Sequence, residues 1–311
     1  MTLIPQPIMV NGATHSAQTF RMLVRDLARG NEGVTQGDDL KVAQRSTPGG
    51  GVTVSDGSGV VRGRANAFQG SYAVCNVGSA DVDIAATGGS PRSDMLIVRV
   101  EDPEYEGSLD PTVDQIAYFQ VISNVSSSAT AIPDGRTGIP LARIDIPAST
   151  STITNAMITD LRSIANPRRE RTLLVQSPSG LSTDIGGTSG TFSYFSTAPG
   201  WNITVPGWAT KVVMSLSVGQ LRYNTAAFFG QIRATFGSLA SVQAVNLDDN
   251  QSGTRRATVV FGDTITLPWS YFVTTQLLRF QACGLTGNAG KVGVDASSTL
   301  IADVEFIEAP R

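Results

Sequence analysis

The chain has 311 residues, 41% of them hydrophobic, and a formal net charge of −3. That length favours two domains over one core, and the acidic balance argues against a duplex-DNA binder, which carries a basic field. The longest apolar runs, such as MLIV at 95–98, fall far short of the ~20 residues a membrane span requires. Thirty-two glycines and fifteen prolines predict turn-rich β structure.

The opening segment MTLIPQPIMVNG lacks a basic stretch and is broken by Pro5 and Pro7, so no signal peptide is expected there. One amphipathic helix follows. Phe20, Leu23, Val24 and Leu27 obey the i, i+3, i+4, i+7 rule, with Arg21, Arg25 and Arg29 projecting elsewhere. Thr14 or Ser16 can cap its start and Gly30 can close its end. Those four apolar residues are expected to dock the helix on a core. Val52 and Val54, then Val60, predict short strands joined by DGSG as a hairpin. MLIVRV reads as a central strand, EDPEYEGSLDP as an acidic loop, and IAYFQVI as a strand with Ala117, Phe119 and Val121 on one face.

Leu141 to Arg162, LARIDIPASTSTITNAMITDLR, is the most informative run. Ala142, Ile144 and Ile146 alternate with Leu141, Arg143 and Asp145 as in a half-buried strand, which Pro147 ends. A Ser/Thr-rich turn then leads to ITDLR, where Asp160 and Arg162 read first as a solvated turn pair, with a backbone cap as the alternative. The predicted first domain spans 1–165. SIANPRRERT changes character, and 166–171 are read as a linker. From 172 to 311 the chain predicts an antiparallel β-sandwich, jelly-roll-like. Val212, Met214, Leu216 and Val218, and later Leu300, Ala302, Val304 and Phe306, form inward faces.

Chemistry-bearing groups are sparse. The lone histidine, His15, has no nucleophile and acid placed beside it by the sequence. Cys75 and Cys283 read as small buried hydrophobes, and with one histidine they lack zinc-ligand spacing. Asp81 with Asp83, the acids at 101–106, and Asp248 with Asp249 read as solvated loop charges rather than calcium ligands or glycosidase acids. No catalytic residue, metal or cofactor is expected. All three tryptophans fall in the second domain, beside Pro or Gly, where an indole either plugs a sandwich end or meets a sugar ring. Tyr223, Trp269 and Tyr271 are the candidate ligand contacts.

Taken in order, the amphipathic helix, DLKV, VTVSDGSGVVRG, PRSDMLIVRVEDPEY, LARIDIPAS and ITDLR followed by PR span most of residues 10–168. This set resembles the N-terminal domain of minor tail proteins of long-tailed bacteriophages, especially those infecting actinobacteria. It is similar to upper baseplate attachment modules. The resemblance implies a non-enzymatic protein of the virion tail tip, assembled in the host cytoplasm, with other tail-tip proteins as partners and a homotrimeric state. It also implies a distal unit that contacts the host surface, an envelope glycan being the expected ligand. Nucleic acid and membrane insertion are not expected. A tail-associated enzyme degrading envelope glycan and a purely architectural spacer are the alternatives.

Overall fold

A computed structural model describes residues 7–311. Residues 1–6, which carry half of the opening segment read above for a leader, lie outside the described residues. The protein is mainly β, with one α-helix and several antiparallel sheets. The chain divides into two compact units. The first runs up to Pro167 and includes Ala309–Arg311; the second is Arg168–Glu308.

In the first unit, α1 (Ala17–Leu27) precedes β1 (Gly33–Val34), β2 (Val42–Gln44), β3 (Gly51–Val54), β4 (Gly57–Arg62) and β5 (Ser71–Asn76). Then come β6 (Ala80–Asp83), β7 (Arg92–Val100), β8 (Ala117–Ile122), β9 (Gly138–Ile146) and β10 (Ile158–Asp160). They form sheets ordered β1-β4-β5, β2-β3-β6 and β10-β9-β7-β8. β7 is a central strand, as its apolar run predicts, and Met95–Val98 are buried. Ala117, Phe119 and Val121 pack on the same core from β8. The predicted hairpin at DGSG does not form: β3 pairs with β2 and β6, while β4 pairs with β1 and β5. Gly57, at φ +139°, passes tightly against Asp39 and turns the chain from one sheet into another.

Ser16 caps α1 through its hydroxyl, which accepts from the Thr19 N–H. The face by which the helix docks is the reverse of the expected one. Phe20 is 50% and Leu27 69% exposed, Leu23 and Val24 are half-buried, and Arg21 is the buried helical residue. Gln18, Arg21 and Arg25 donate to the carbonyls of Phe68, Gln69 and Ala67. Those carbonyls belong to a loop that no sheet satisfies, so the polar stripe has more to gain from contact than the apolar one. Arg21 also reaches Glu104 at 2.7 Å and lies over the rings of Tyr72 and Tyr105. Burial, and its hydrogen bond to Asp102, push the Tyr72 phenol well above the usual range.

A 3-10 turn at Asn155–Met157 leads into ITDLR, whose first three residues form β10 and pair with β9. Asp160 and Arg162 are not a solvated pair. The Arg162 side chain is fully buried. Its Nε and Nη2 grip Asp160, Nη1 donates to the carbonyls of Gly37 and Asp39, and Nη2 to that of Arg311. The three-residue return of Ala309–Arg311 to this unit is fixed here, aided by Arg311 N–H to Gly37 carbonyl at 3.0 Å.

The second unit contains β11 (Arg169–Gln176), β12 (Ser193–Tyr194), β13 (Trp201–Thr204), β14 (Lys211–Asn224), β15 (Phe228–Phe236) and β16 (Ala240–Ser241). β17 (Val245–Asp249), β18 (Arg255–Thr266), β19 (Thr275–Gly284), β20 (Lys291–Gly293) and β21 (Thr299–Ile307) complete it. One sheet runs β11-β21-β14-β18, with β20 beside β14; the other runs β12-β19-β15-β16, with β13 and β17 alongside. The two share one core, filled by the predicted inward faces of β14 and β21 together with Phe228, Phe236 and Phe280. This is an antiparallel sandwich. The proposed linker is partly strand, because Arg169 and Arg171 open β11 and pair with Glu305 and Asp303 across the ladder to β21. The charges that suggested a solvated linker are the outward row of a strand.

Replacing Arg162 by Met should lower unfolding free energy by about 3 kcal/mol, since three carbonyls lose their donor at once. Asp160→Asn, at a half-exposed partner, should cost about 1 kcal/mol or less. Urea unfolding of the two variants checks both; equal effects would mean that the carboxylate, not the carbonyls, sets the cost.

Candidate functional site

The aromatic candidates separate once their surroundings are known. Tyr223 is buried, edge-on to Phe228 and beneath the Arg255 guanidinium at 5.4 Å. Burial first, then the Asp249 charge, push its phenol up. Tyr271 is buried too: its hydroxyl donates to the Phe236 carbonyl at 2.8 Å and accepts from the Leu239 N–H at 2.7 Å. Both are therefore structural, contrary to the expectation of exposure. Trp201 packs against Phe280, and Trp208 lies under Arg168 at 5.4 Å.

Trp269 alone of the three candidates faces solvent, at 65% exposure. The reason is local. Pro268 starts a 3-10 turn, Trp269–Tyr271, in which successive side chains point about 120° apart. Tyr271 turns inward, so Trp269 turns out, where its indole meets Phe272 edge-to-face at 5.1 Å. Val273 follows at φ +57° and 76% exposed. A β-branched residue in the left-handed region is strained, and strain persists only where the surroundings fix it. Here Val273 N–H donates to Val205, and Val205 N–H to Thr274, stapling the turn to the segment before Pro206. Leu239, whose N–H bonds the Tyr271 hydroxyl, is exposed as well. The turn thus presents Trp269 and Val273 to solvent, with Phe272 packed between the indole and the core.

Most of the carboxylates singled out in the sequence are engaged, while Asp248 is exposed on β17. Asp81 and Asp83 share Arg45; Glu101 accepts from Tyr118, Asp102 from Tyr72, Glu104 from Arg21 and Glu106 from Arg99; Asp249 pairs with Arg255. Among the described residues no group of three or more His, Cys, Asp or Glu could hold a metal ion. A cleft of 480 Å³ between Pro91, Ser93, Asn124, Asp145 and Pro147 contains one carboxylate. Arg143 first, and Ser93, hold that Asp145 carboxyl below the usual range, which fits an ion pair and not a proton donor. His15 rests edge-on against Phe20 at the foot of α1. The cysteines are free; Cys283 is buried as expected, but Cys75 is exposed on β5. Sequence reasoning missed the role of Tyr271 as an anchor. Its signal was the position two residues after Trp269 in a turn opened by proline.

No family model matches the chain, and no curated protein matches it in sequence. Among solved structures, one of the infectious bursal disease virus Gx strain is similar over 90% of this chain and 76% of that one, at 14% identity and a TM-score of 0.27. The VP2 subviral particle of the same virus gives 13% identity over 90% and 75%, with a TM-score of 0.26. The delta-endotoxin Cry8Ea1 of Bacillus thuringiensis gives 8% identity over 90% and 55%, with a TM-score of 0.21. At TM-scores this low the likenesses carry no argument.

Tyr271→Phe should destabilise the second unit by about 1–3 kcal/mol, because a buried N–H and a buried carbonyl lose their partner. Trp269→Ala, at a ring that is 65% exposed, should cost less, about 1 kcal/mol. Thermal unfolding distinguishes the anchor from the presented ring, and a larger loss for Trp269→Ala would reverse the two roles.

Proposed function

We propose that this chain is a structural minor tail protein of a bacteriophage virion, without enzymatic activity. Its first unit attaches to other tail-tip proteins, in a homotrimer, and its sandwich unit adheres to a host cell-envelope glycan. The ordered segments over residues 10–168 support the attachment half of this reading. The part-exposed apolar stripe of α1, left free because the helix docks by its polar face, offers such partners a surface.

The adhesive half is carried by one observation: an exposed indole held rigidly by a buried tyrosine and a strained valine. Flat aromatics bind the apolar faces of sugar rings, and a ring that needs no reordering loses little entropy on binding. A single shallow site of this kind binds at about millimolar strength, near −4 kcal/mol. Several copies on one tail add a factor of roughly 10²–10⁴ in avidity where they can engage together.

Incubating the purified chain with envelope polysaccharide from actinobacterial cells should give retention without release of reducing ends. Trp269→Ala should weaken retention about tenfold or more. Release of reducing ends would replace adhesion by glycan hydrolysis, and unchanged adsorption of particles lacking residues 168–308 would leave the unit as a spacer.

A further inference from the structure

The outer face of the sheet built on β12, β15 and β19 carries a feature separate from the Trp269 turn. Ile232, Ala234 and Phe236 of β15, and Leu278, Phe280 and Ala282 of β19, point into the core, so Arg233, Thr235, Arg279 and Gln281 share the opposite face. The register sets Arg233 opposite Gln281 and Thr235 opposite Arg279. The two arginines are therefore diagonal neighbours, with backbones about 7–8 Å apart. Each guanidinium stacks on an aromatic ring supplied by or beside β12: Arg233 lies 3.9 Å from the Phe192 centroid and Arg279 4.4 Å from that of Tyr194. Each spends its Nε on the protein, Arg233 on Gln281 Oε1 at 3.0 Å and Arg279 on the Ala198 carbonyl at 3.4 Å.

Their lack of a counter-charge sets them apart. Among the described residues, sixteen of the twenty arginines lie within 4 Å of a carboxylate. In the second unit the two that do not are Arg233 and Arg279. Two adjacent cations on a chain of net charge −3 repel each other, and an anion placed between them relieves that repulsion. With Nε engaged, the Nη groups of each half-buried fork make no hydrogen bond or ion pair to the described residues, and a fork of this kind can grip a carboxylate or phosphate by two hydrogen bonds.

We propose that this face binds an acidic glycan through carboxylate or phosphate groups on the polymer. The neighbouring polar groups suit a sugar chain: Gln231 bonded to Asn246, and the Tyr194 hydroxyl beside Thr235, offer donors and acceptors to hydroxyls. The aromatic faces here are already covered by guanidiniums, so recognition runs through charge and hydrogen bonds, unlike the ring stacking assigned to Trp269. This inference rests on the adhesive reading of the second unit and names the charge class of its ligand.

Binding of the full chain to immobilised polygalacturonate, poly(glycerol phosphate) teichoic acid, neutral dextran and duplex DNA, each at several NaCl concentrations, tests it. The expected result is binding to polygalacturonate, teichoic acid or both that weakens with salt; which of the two binds tells carboxylate from phosphate. The double variant R233Q/R279Q should raise the Kd about tenfold or more while the chain still melts cooperatively above the assay temperature. Should that variant fold poorly, R233K/R279K keeps the charge without the fork and should still weaken binding several-fold. Equal affinity of wild type and variants overturns the proposal, as does binding to DNA at least as tight as to the glycans. Dextran binding that survives R233Q/R279Q but is lost in Trp269→Ala also overturns it, while leaving adhesion through the aromatic turn standing. Failure to bind either acidic polymer removes this proposal alone if actinobacterial envelope polysaccharide is still retained, and the adhesive reading as well if it is not.

Discussion

A guanidinium taken out of water must have every donor satisfied, and Arg162 meets that demand completely. Its five N–H groups reach two carboxylate oxygens of Asp160 and the carbonyls of Gly37, Asp39 and Arg311. An ammonium has three donors on a point charge and could not replace this planar fork. The consequences spread outward. Pinning the Asp39 carbonyl fixes the backbone just before Leu40, which sits in the left-handed region at φ +53° and is buried. That strained leucine fills the core under β2 and β3, so the packing of a whole sheet depends on a cation several strands away in sequence. The same fork holds residues 309–311, which is why the first unit is built from two separate stretches of chain.

This arrangement was partly legible. Opposite charges two residues apart on a strand share a face, and the first unit repeats that spacing at Arg92 with Asp94, Arg143 with Asp145, and Asp160 with Arg162, with Asp134 and Arg136 repeating it in a loop. Pair formation follows from the spacing alone. The depth at which each pair lies does not: Arg143 keeps some exposure, while Arg162 has none. Burial is decided by what covers the strand, and the segments that cover Arg162 come from residues 37–39 and 311. No local pattern links positions so far apart.

The same limit explains the other departures. Alternation identified the strands and the inward rows of β14 and β21, because a period of two is a property of each strand by itself. Pairing partners are not local, so the glycine-rich step at DGSG looked like a hairpin although it carries the chain between sheets. The amphipathic moment of α1 was equally plain, but a moment has two faces. Which one docks depends on the surface offered, and the loop at 66–70 offers carbonyls. Likewise, Trp269 and Tyr271 could not be told apart by composition. A three-residue turn sends one inward and one outward, and the partner that decides the choice is the Phe236 carbonyl, thirty-five residues earlier.

The fate of the arginines joins these threads to function. In most of the molecule an arginine is a fastener. Its charge is met by an acid, and its remaining donors tie down carbonyls that no ladder uses. A fastener of this kind is spent, since binding anything else would mean breaking the contacts that hold the fold. Many carboxylates are spent in the same way, among them Asp145 in the cleft of the first unit, held by Arg143 and Ser93. The second unit also turns groups of another sort to solvent: an indole and a valine on the Trp269 turn, and two guanidiniums stacked on aromatic rings without an acid within 4 Å. Groups that the fold holds at its surface in this way are the ones the proposed adhesive role would draw on, because their order is set before any ligand arrives.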